Sequence, residues 1–413
     1  MEKKSIYQSW FGLEHVITPG FPWNSQVGGG YLAEEVMEAM KEAAKHKVSM
    51  HELSDRAGRL VAEIIGCEAA FITCSDCAAM ALSAAAMMTG KDEKKMDQLP
   101  NTEHPARLKN ELIAQIGMFE QYMRSFTVSG AKLVRVGGKD FAQDADYDPV
   151  AKKRVTRSFR ISPVEIEEAI NERTAGIVAA VHCSNSLPPP VTLPVSEVVK
   201  VARKHNLPTV VDSPHPPVVG GQTGVAFLRK YIDMGVDLVC LSGGKAIDAP
   251  NSTGLIYGKK DLVEAASLHG CPGKAEIKRF KDLHSWQEIE THAFGRTPFG
   301  RGFKVSRELM VGFVAALKRY VSMDSQAVME RDARVCKYLA EQLRNAPCVR
   351  SVELAPECDW PNDNMWEGGV SVVIEIDEKA LGITIKDISD LMWQGDPHID
   401  ITRSSPARAP VKK

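Results

Sequence analysis

Three short stretches of this chain carry residue types that can do covalent chemistry if the fold brings them together. The first is Ser242-Gly243-Gly244-Lys245, directly after the apolar run Asp237–Leu241 (DLVCL). A lysine on a short glycine turn at a strand end can reach into a cleft. Desolvation there favours the neutral amine, the form that attacks a carbonyl carbon. The second is Asp212, which ends the run Thr209-Val210-Val211. A carboxylate at such a point can pair with a protonated ring nitrogen. The third is Thr73-Cys74-Ser75-Asp76-Cys77-Ala78, between the run Ala70–Ile72 and a stretch of small residues through Met88. A helix that starts there offers free N–H groups and a dipole suited to phosphate.

Taken singly, strand-end Asp and Lys residues are usually solvated loop charges. The phosphate cradle is what turns the combination toward one cofactor, pyridoxal 5′-phosphate (PLP), with Lys245 as its Schiff-base lysine and Asp212 as the partner of its ring nitrogen. Ser75 and Cys77 are small enough for a phosphate to approach closely, and the Ser242 hydroxyl can join them. Asp76 sits awkwardly in this group: its charge must point away from the phosphate or be compensated. Cys74 and Cys77 form a C-x-x-C pair, but no second pair completes a zinc site. They also open a helix instead of standing in a redox turn, so they read as two incidental small residues and no metal is expected.

The elements around these stretches alternate. Ser162-Pro163-Val164-Glu165 is a capping box with proline at the first helical position, starting a helix to about Asn171. Ala175–Val181 reads as a buried strand, Ser196–His205 as a helix broken by Pro208, and Thr209–Asp212 as a strand. A helix from about Gly224 to Met234, stopped by Gly235, leads to the strand Asp237–Leu241; Glu111–Ala114 and Lys132–Val136 add further strands. The expected fold class is α/β with a mostly parallel sheet and helices on both faces. After a helix at about Val305–Val321, the strands Val349–Leu354, Val370–Ile376 and His398–Thr402 and the helix Ile385–Met392 make a smaller α+β region. The predicted organisation is an N-terminal segment 1–51, a large domain 52–322 and a small domain 323–413.

Composition narrows the class. Of 413 residues, 44% are hydrophobic and 25% charged, as in globular proteins, and a net charge of −2 gives no reason to expect nucleic acid or an anionic membrane. The stretch Ala78–Met88 is too short to span a bilayer, and Met1–Trp10 has no apolar core of a secretory signal. Nine scattered cysteines are not a disulfide framework and fit a reducing compartment, so a cytoplasmic location is expected.

The run Asp237–Gly258 (DLVCLSGGKAIDAPNSTGLIYG) resembles the cofactor-lysine segment of fold-type-I PLP enzymes, and is similar in particular to the selenocysteine synthase and D-glucosaminate-6-phosphate ammonia lyase group. The resemblance extends over nearly the whole chain. It takes in Gly12–Ile17, Glu34–Ala44, Gly66–Ala79, Lys109–Gln115, Gly130–Gly137 and Val211-Asp212, then Gly300–Lys304, Gly395–Pro397 and Arg403. It implies a homodimer or larger homo-oligomer that acts on a small amino acid substrate. Arg403 is then placed for a substrate carboxylate, and Arg301 or Lys304 for phosphate or substrate. Where the lyases carry Ser-His-Arg after the glutamine matching Gln115, this chain has Ile116-Gly117-Met118-Phe119, so Phe119 or Met118 is left to cover the ring. His182, at a strand end, is either packed or an acid/base group; His215, in Ser213-Pro214-His215-Pro216-Pro217, is a second candidate. The expected reaction is Cα deprotonation and β-elimination by a lyase. Transfer, racemisation or β-replacement on the same scaffold, and a non-catalytic binding protein, are the alternatives. Selenium transfer to an aminoacylated tRNA is disfavoured by the charge balance.

Overall fold

A computed structural model of the chain describes residues 5–19, 23, 25–116, 120–137, 147–148, 153–154, 161–180, 192–214, 216, 220–270, 299–356 and 370–401. The chain forms two compact units. The larger is built on Tyr31–Met323, the smaller on Met1–Gly30 and the chain from Asp324 onward.

The larger unit is organised by seven strands: β1 (Ala69–Thr73), β2 (Glu111–Gln115), β3 (Lys132–Val136), β4 (Thr174–Ala180), β5 (Thr209–Asp212), β6 (Leu238–Ser242) and β7 (Gly254–Gly258). They lie in the order β1-β7-β6-β5-β4-β2-β3. The five strands from β6 to β3 run parallel, as expected of short runs that are apolar on both faces. β7 alone is antiparallel, and it lies between β1 and β6. Its direction sets its first residue, Gly254, beside the last residues of β1 and β6, Thr73 and Ser242. The carboxyl ends of β1, β5 and β6 therefore open on one edge of the sheet.

Helices cover both faces. On one side Val61, Ile65, Val198, Leu228, Phe313 and Tyr320 form a buried cluster; on the other Met80, Leu82, Phe126, Ile256 and Val263 form a second. The helix Asp76–Thr89 belongs to the second cluster and is buried on every side from Ala78 to Thr89. It packs on β6 and β7, where Ser83 Oγ lies 3.4 Å from Cys240 Sγ. An all-apolar helix of small residues can come this close to a sheet, and each large side chain it buries contributes about 1.5–3 kcal/mol.

Most of the expected elements are present. The capping box forms at Ser162 and Glu165 and opens the helix Pro163–Ala169. The helix Gly221–Asp233 starts three residues earlier than its periodicity indicates, from Gly220. In the smaller unit, Val349–Pro356 and Val370–Ile376 pair antiparallel and pack with the helix Ser325–Leu343, while a capping box at Thr384 and Asp387 opens the helix Ile385–Gln394. The last strand is shorter than expected, only His398–Ile399, because its parallel partner is the two-residue strand Val16–Ile17.

Candidate cofactor site

Lys245 sits just beyond β6 in a loop whose backbone is tied at several points. Gly243 N–H donates to Thr253 O (3.0 Å), Ala249 N–H to Gly243 O (3.0 Å) and Asp248 N–H to Lys245 O (2.8 Å). The two glycines are required by close approach: a Cβ on Gly243 would stand 2.2 Å from Thr253 Oγ1, and one on Gly244 2.5 Å from Asn251 Cα. Asp248 closes the turn at φ +55°, a conformation that Asp tolerates better than most residues. Arg319 reaches this aspartate, with Nη1 3.6 Å from Asp248 Oδ2, and also reaches Glu35 at 3.5 Å through Nε. The turn bearing Lys245 is thus braced against two helices, Arg307–Val321 and Glu34–Ala44.

Asp212, the last residue of β5, is paired in register with Ala180 and Cys240 and is only 4% exposed. Its Oδ1 is buried and has no hydrogen-bond partner among the described residues. Asp76, the first residue of the helix after β1, is in the same condition: Oδ1 is buried and unpartnered. The Asp76 and Asp212 carboxyls lie within electrostatic reach of each other, with Lys245 as the nearby cation. Burial dominates the electrostatics. It pushes Asp76 up to about 6 despite the pull of Lys245, and holds Asp212 well above the usual carboxylate range, where the neighbouring Asp76 charge adds to the shift.

The start of that helix forms a cradle. Ser75 is its N-cap, with Oγ accepting from Ala78 N–H (3.0 Å), which leaves the hydroxyl hydrogen able to donate. Thr73 Oγ1 donates to Ser75 O (2.8 Å) and fixes the turn. Gly254 makes room for it, since a Cβ there would lie 2.4 Å from Ser75 C and 2.6 Å from Asp76 N. Cys77 is exposed at the first turn, and the thiols of Cys74 and Cys77 are free. Ser242, half-buried, ends β6 beside Gly254.

The structure therefore brings together Lys245, Asp212, Asp76, Ser75, Cys77 and Ser242. His182, His215, Phe119, Met118 and Arg403 lie outside the described residues. Arg301 is half-buried within Phe299–Phe303, and Lys304 is exposed just beyond it. That segment packs through Gly300 on His269, and neither cation makes a hydrogen bond or ion pair among the described residues. Sequence reasoning missed the Arg319–Asp248 brace, which has no local signal. It also missed the work of Gln115, whose buried Oε1 accepts from Leu193 N–H (2.6 Å) and anchors the chain there beside the end of β2.

This set of groups fits PLP. An unpartnered buried carboxyl suits a cationic ring nitrogen, the helix start suits a phosphate, and the lysine suits a carbonyl carbon. Comparison with known proteins agrees. The chain is 27% identical to a 5′-C-glycyluridine monooxygenase-decarboxylase of Streptomyces sp over 91% of its length and 79% of that protein. It is 28% identical to the D-glucosaminate-6-phosphate ammonia lyase of Salmonella typhimurium over 76% of its length and 70% of that protein. The fold matches a solved D-glucosaminate-6-phosphate ammonia-lyase with a TM-score of 0.71, at 22% identity, covering 96% of this chain and 89% of that one. The aminotransferase class-V profile matches residues 142–361, just over half of the 413 residues, and the chain belongs to that family of PLP-dependent, fold-type-I enzymes.

Proposed function

We propose that the chain is a lyase that removes the Cα proton of an amino acid or amino-sugar acid and expels a β-substituent. The observation that carries the reading is the convergence of Lys245, Asp212 and a helix start on one edge of the sheet. Support for elimination comes from the ammonia lyase relative. When bound, PLP would supply a carbonyl carbon for Lys245 and a sink for the electron pair of the broken Cα–H bond.

Each protein group has a distinct part. The backbone N–H groups at Asp76 and Cys77, with the hydroxyls of Ser75 and Ser242, hold the phosphate. Asp212 Oδ1 holds the ring nitrogen in its cationic form. Lys245 Nζ, as the free amine, would take the Cα proton. His182 or His215 is assigned the proton delivered to the leaving group, and Phe119 or Met118 covers the ring. Arg403 is assigned the substrate carboxylate, and Arg301 or Lys304 a phosphate or carboxylate, within a homodimer or larger homo-oligomer. Proton transfer by one positioned group is worth roughly 10²–10⁴-fold in rate.

A second reading has specific support: the monooxygenase-decarboxylase relative aligns over more of both chains than the lyase does. There the substrate loses its carboxylate as carbon dioxide instead of a β-group. One experiment addresses both. Borohydride reduction of the purified yellow protein should place a pyridoxyl mass on the peptide bearing Lys245, and candidate amino acids should release ammonium with a 2-oxo acid. Label on another lysine, or colourless protein that takes up no PLP, would overturn the cofactor assignment. Carbon dioxide in place of ammonium would select the second reading.

A further inference from the structure

Within residues 243–250, the loop that carries Lys245, only Lys245 and Asp248 are half-buried; the other six residues are buried. Asp248 N–H donates to Lys245 O (2.8 Å), so the two are the ends of one turn, and Asp248 takes φ +55° to close it. A residue with a Cβ is disfavoured in that conformation and holds it only where its surroundings fix it. The Asp248 carboxylate faces Arg319, whose Nη1 stands 3.6 Å from Oδ2. That Nη1 is buried and has no hydrogen bond among the described residues, while Nε of the same guanidinium lies 3.5 Å from Glu35 Oε1. Asp248 and Arg319 are each 31% exposed and Glu35 is 65% exposed, so solvent screens the Asp248 pair less than the Glu35 pair.

We infer that Asp248 and Arg319 are positioning residues for Lys245: their ion pair fixes the left-handed end of the turn and thereby the direction in which Lys245 leaves the backbone. This rests on the PLP reading of the site. Lysine carries its ammonium on a flexible four-carbon stem, so the aim of Nζ begins with the backbone that bears it. Ala246, Ile247 and Ala249 are packed, and a shift at Asp248 therefore passes to Lys245 through the hydrogen bond between them. A reacting group displaced by about 1 Å can lose on the order of 10²-fold in rate. The helix Arg307–Val321 also grips the helix Glu34–Ala44 at its other end, where Arg307 Nε and Nη2 donate to Ala43 O and Ala44 O (3.0 Å each). That grip lies about 18 Å along the helix from Arg319, at roughly 1.5 Å per residue, and does not touch the turn.

The test uses the full chain loaded with PLP, with methylamine as the competitor. The methylamine nitrogen replaces Lys245 Nζ on the PLP carbonyl carbon, and the lysine leaves as its free amine. Borohydride then freezes the ratio, read as pyridoxyl mass on the Lys245 peptide against pyridoxyl-methylamine. The methylamine concentration that displaces half of the lysine measures how well the turn holds Nζ in place. It should fall about three- to fivefold in Asp248→Asn, which tolerates the left-handed conformation but removes the charge. Arg319→Met should lower it at least as far, and the double variant no further than Arg319→Met alone, because the pair is already broken. Arg307→Met loses the other grip between the same two helices and should keep the wild-type value, which separates the aim of Lys245 from general stability. Hydrogen exchange of the Asp248 amide in the cofactor-free chain is the second readout: faster in Arg319→Met, unchanged in Arg307→Met. Three results would overturn the inference: wild-type values in both single variants, losses that add in full in the double variant, or Arg307→Met falling as far as Arg319→Met. A wild-type chain with no label on Lys245 would instead sink the cofactor reading. The exchange rates would still decide whether the pair holds the turn, and equal rates in wild type and Arg319→Met would overturn that too.

Discussion

The two ends of the same sheet treat their carboxyl groups in opposite ways. Just before β6, at its amino end, Asp237 is fully used: Oδ2 accepts from Thr209 N–H (2.8 Å) and Thr209 Oγ1 (3.0 Å), and Oδ1 faces Lys259 Nζ at 3.4 Å. At the amino ends of β3 and β4, Glu103 bonds both Arg173 and Lys132, and the hydrogen bonds from Arg173 and then Lys132 hold its carboxyl down to about 2. At the carboxyl ends, Asp212 and Asp76 each keep an unpartnered buried oxygen and sit above their ordinary range. The one irregularity in the pairing of this sheet among the described residues, a register shift at Glu111–Leu112 between β2 and β4, lies at the amino end, so the unsatisfied oxygens do not follow from poorer strand pairing. It lies in which carboxyl oxygens are left unsatisfied: among the described residues those of Asp76 and Asp212 are, and they mark the end at which a ligand can complete the network.

The contrast can be broken at either end. The largest effect should come from Asp212→Asn. Turnover should fall about 10²–10³-fold, the worth of one electrostatic contact to a developing charge, while PLP remains bound. The same substitution should raise the melting temperature of the cofactor-free chain at neutral pH, because it removes a carboxyl that is stabilising only when protonated. Near-normal turnover would show that Asp212 is not the ring-nitrogen partner. At the other end, Asp237→Ala should leave pyridoxyl labelling of Lys245 unchanged and cost about 1–3 kcal/mol in urea unfolding, since buried Thr209 loses its acceptor. Lost labelling there would mean that the two ends are not separable.

The smallest effect should come from Glu103→Gln. The folded pKa of Glu103 is depressed below its ordinary 4.5, so it stabilises at higher pH, and that contribution is lost as pH falls toward about 2. The variant should melt slightly below wild type at pH 7 and match it near pH 2. The carboxylate is exposed, and a gap that persists in acid would assign its role to hydrogen bonding alone.

Much of this organisation is written locally. The runs TVVD and DLVCL, buried on both faces, announce parallel strands, and Ser162 with Glu165 announces a helix start. Lys245, Asp212 and the Ser75 helix cap are recognisable because each is a chemical group at an element boundary, which sequence marks with glycine, a capping serine or the end of an apolar run. β7 is not announced in this way. GLIYG is a short apolar stretch whose antiparallel insertion between β1 and β6 depends on which strands happen to flank it.

What the chain determines by itself is therefore a set of elements, the residues at their ends and the class of cofactor they can hold. Only the tertiary structure decides that Asp76 comes within electrostatic reach of Asp212, and that Arg319 braces the Lys245 turn through Asp248. Both bring together segments distant in sequence. No local periodicity or cap encodes them, because their energy depends on the low dielectric and the fixed distances that exist only once the two clusters have packed on the sheet.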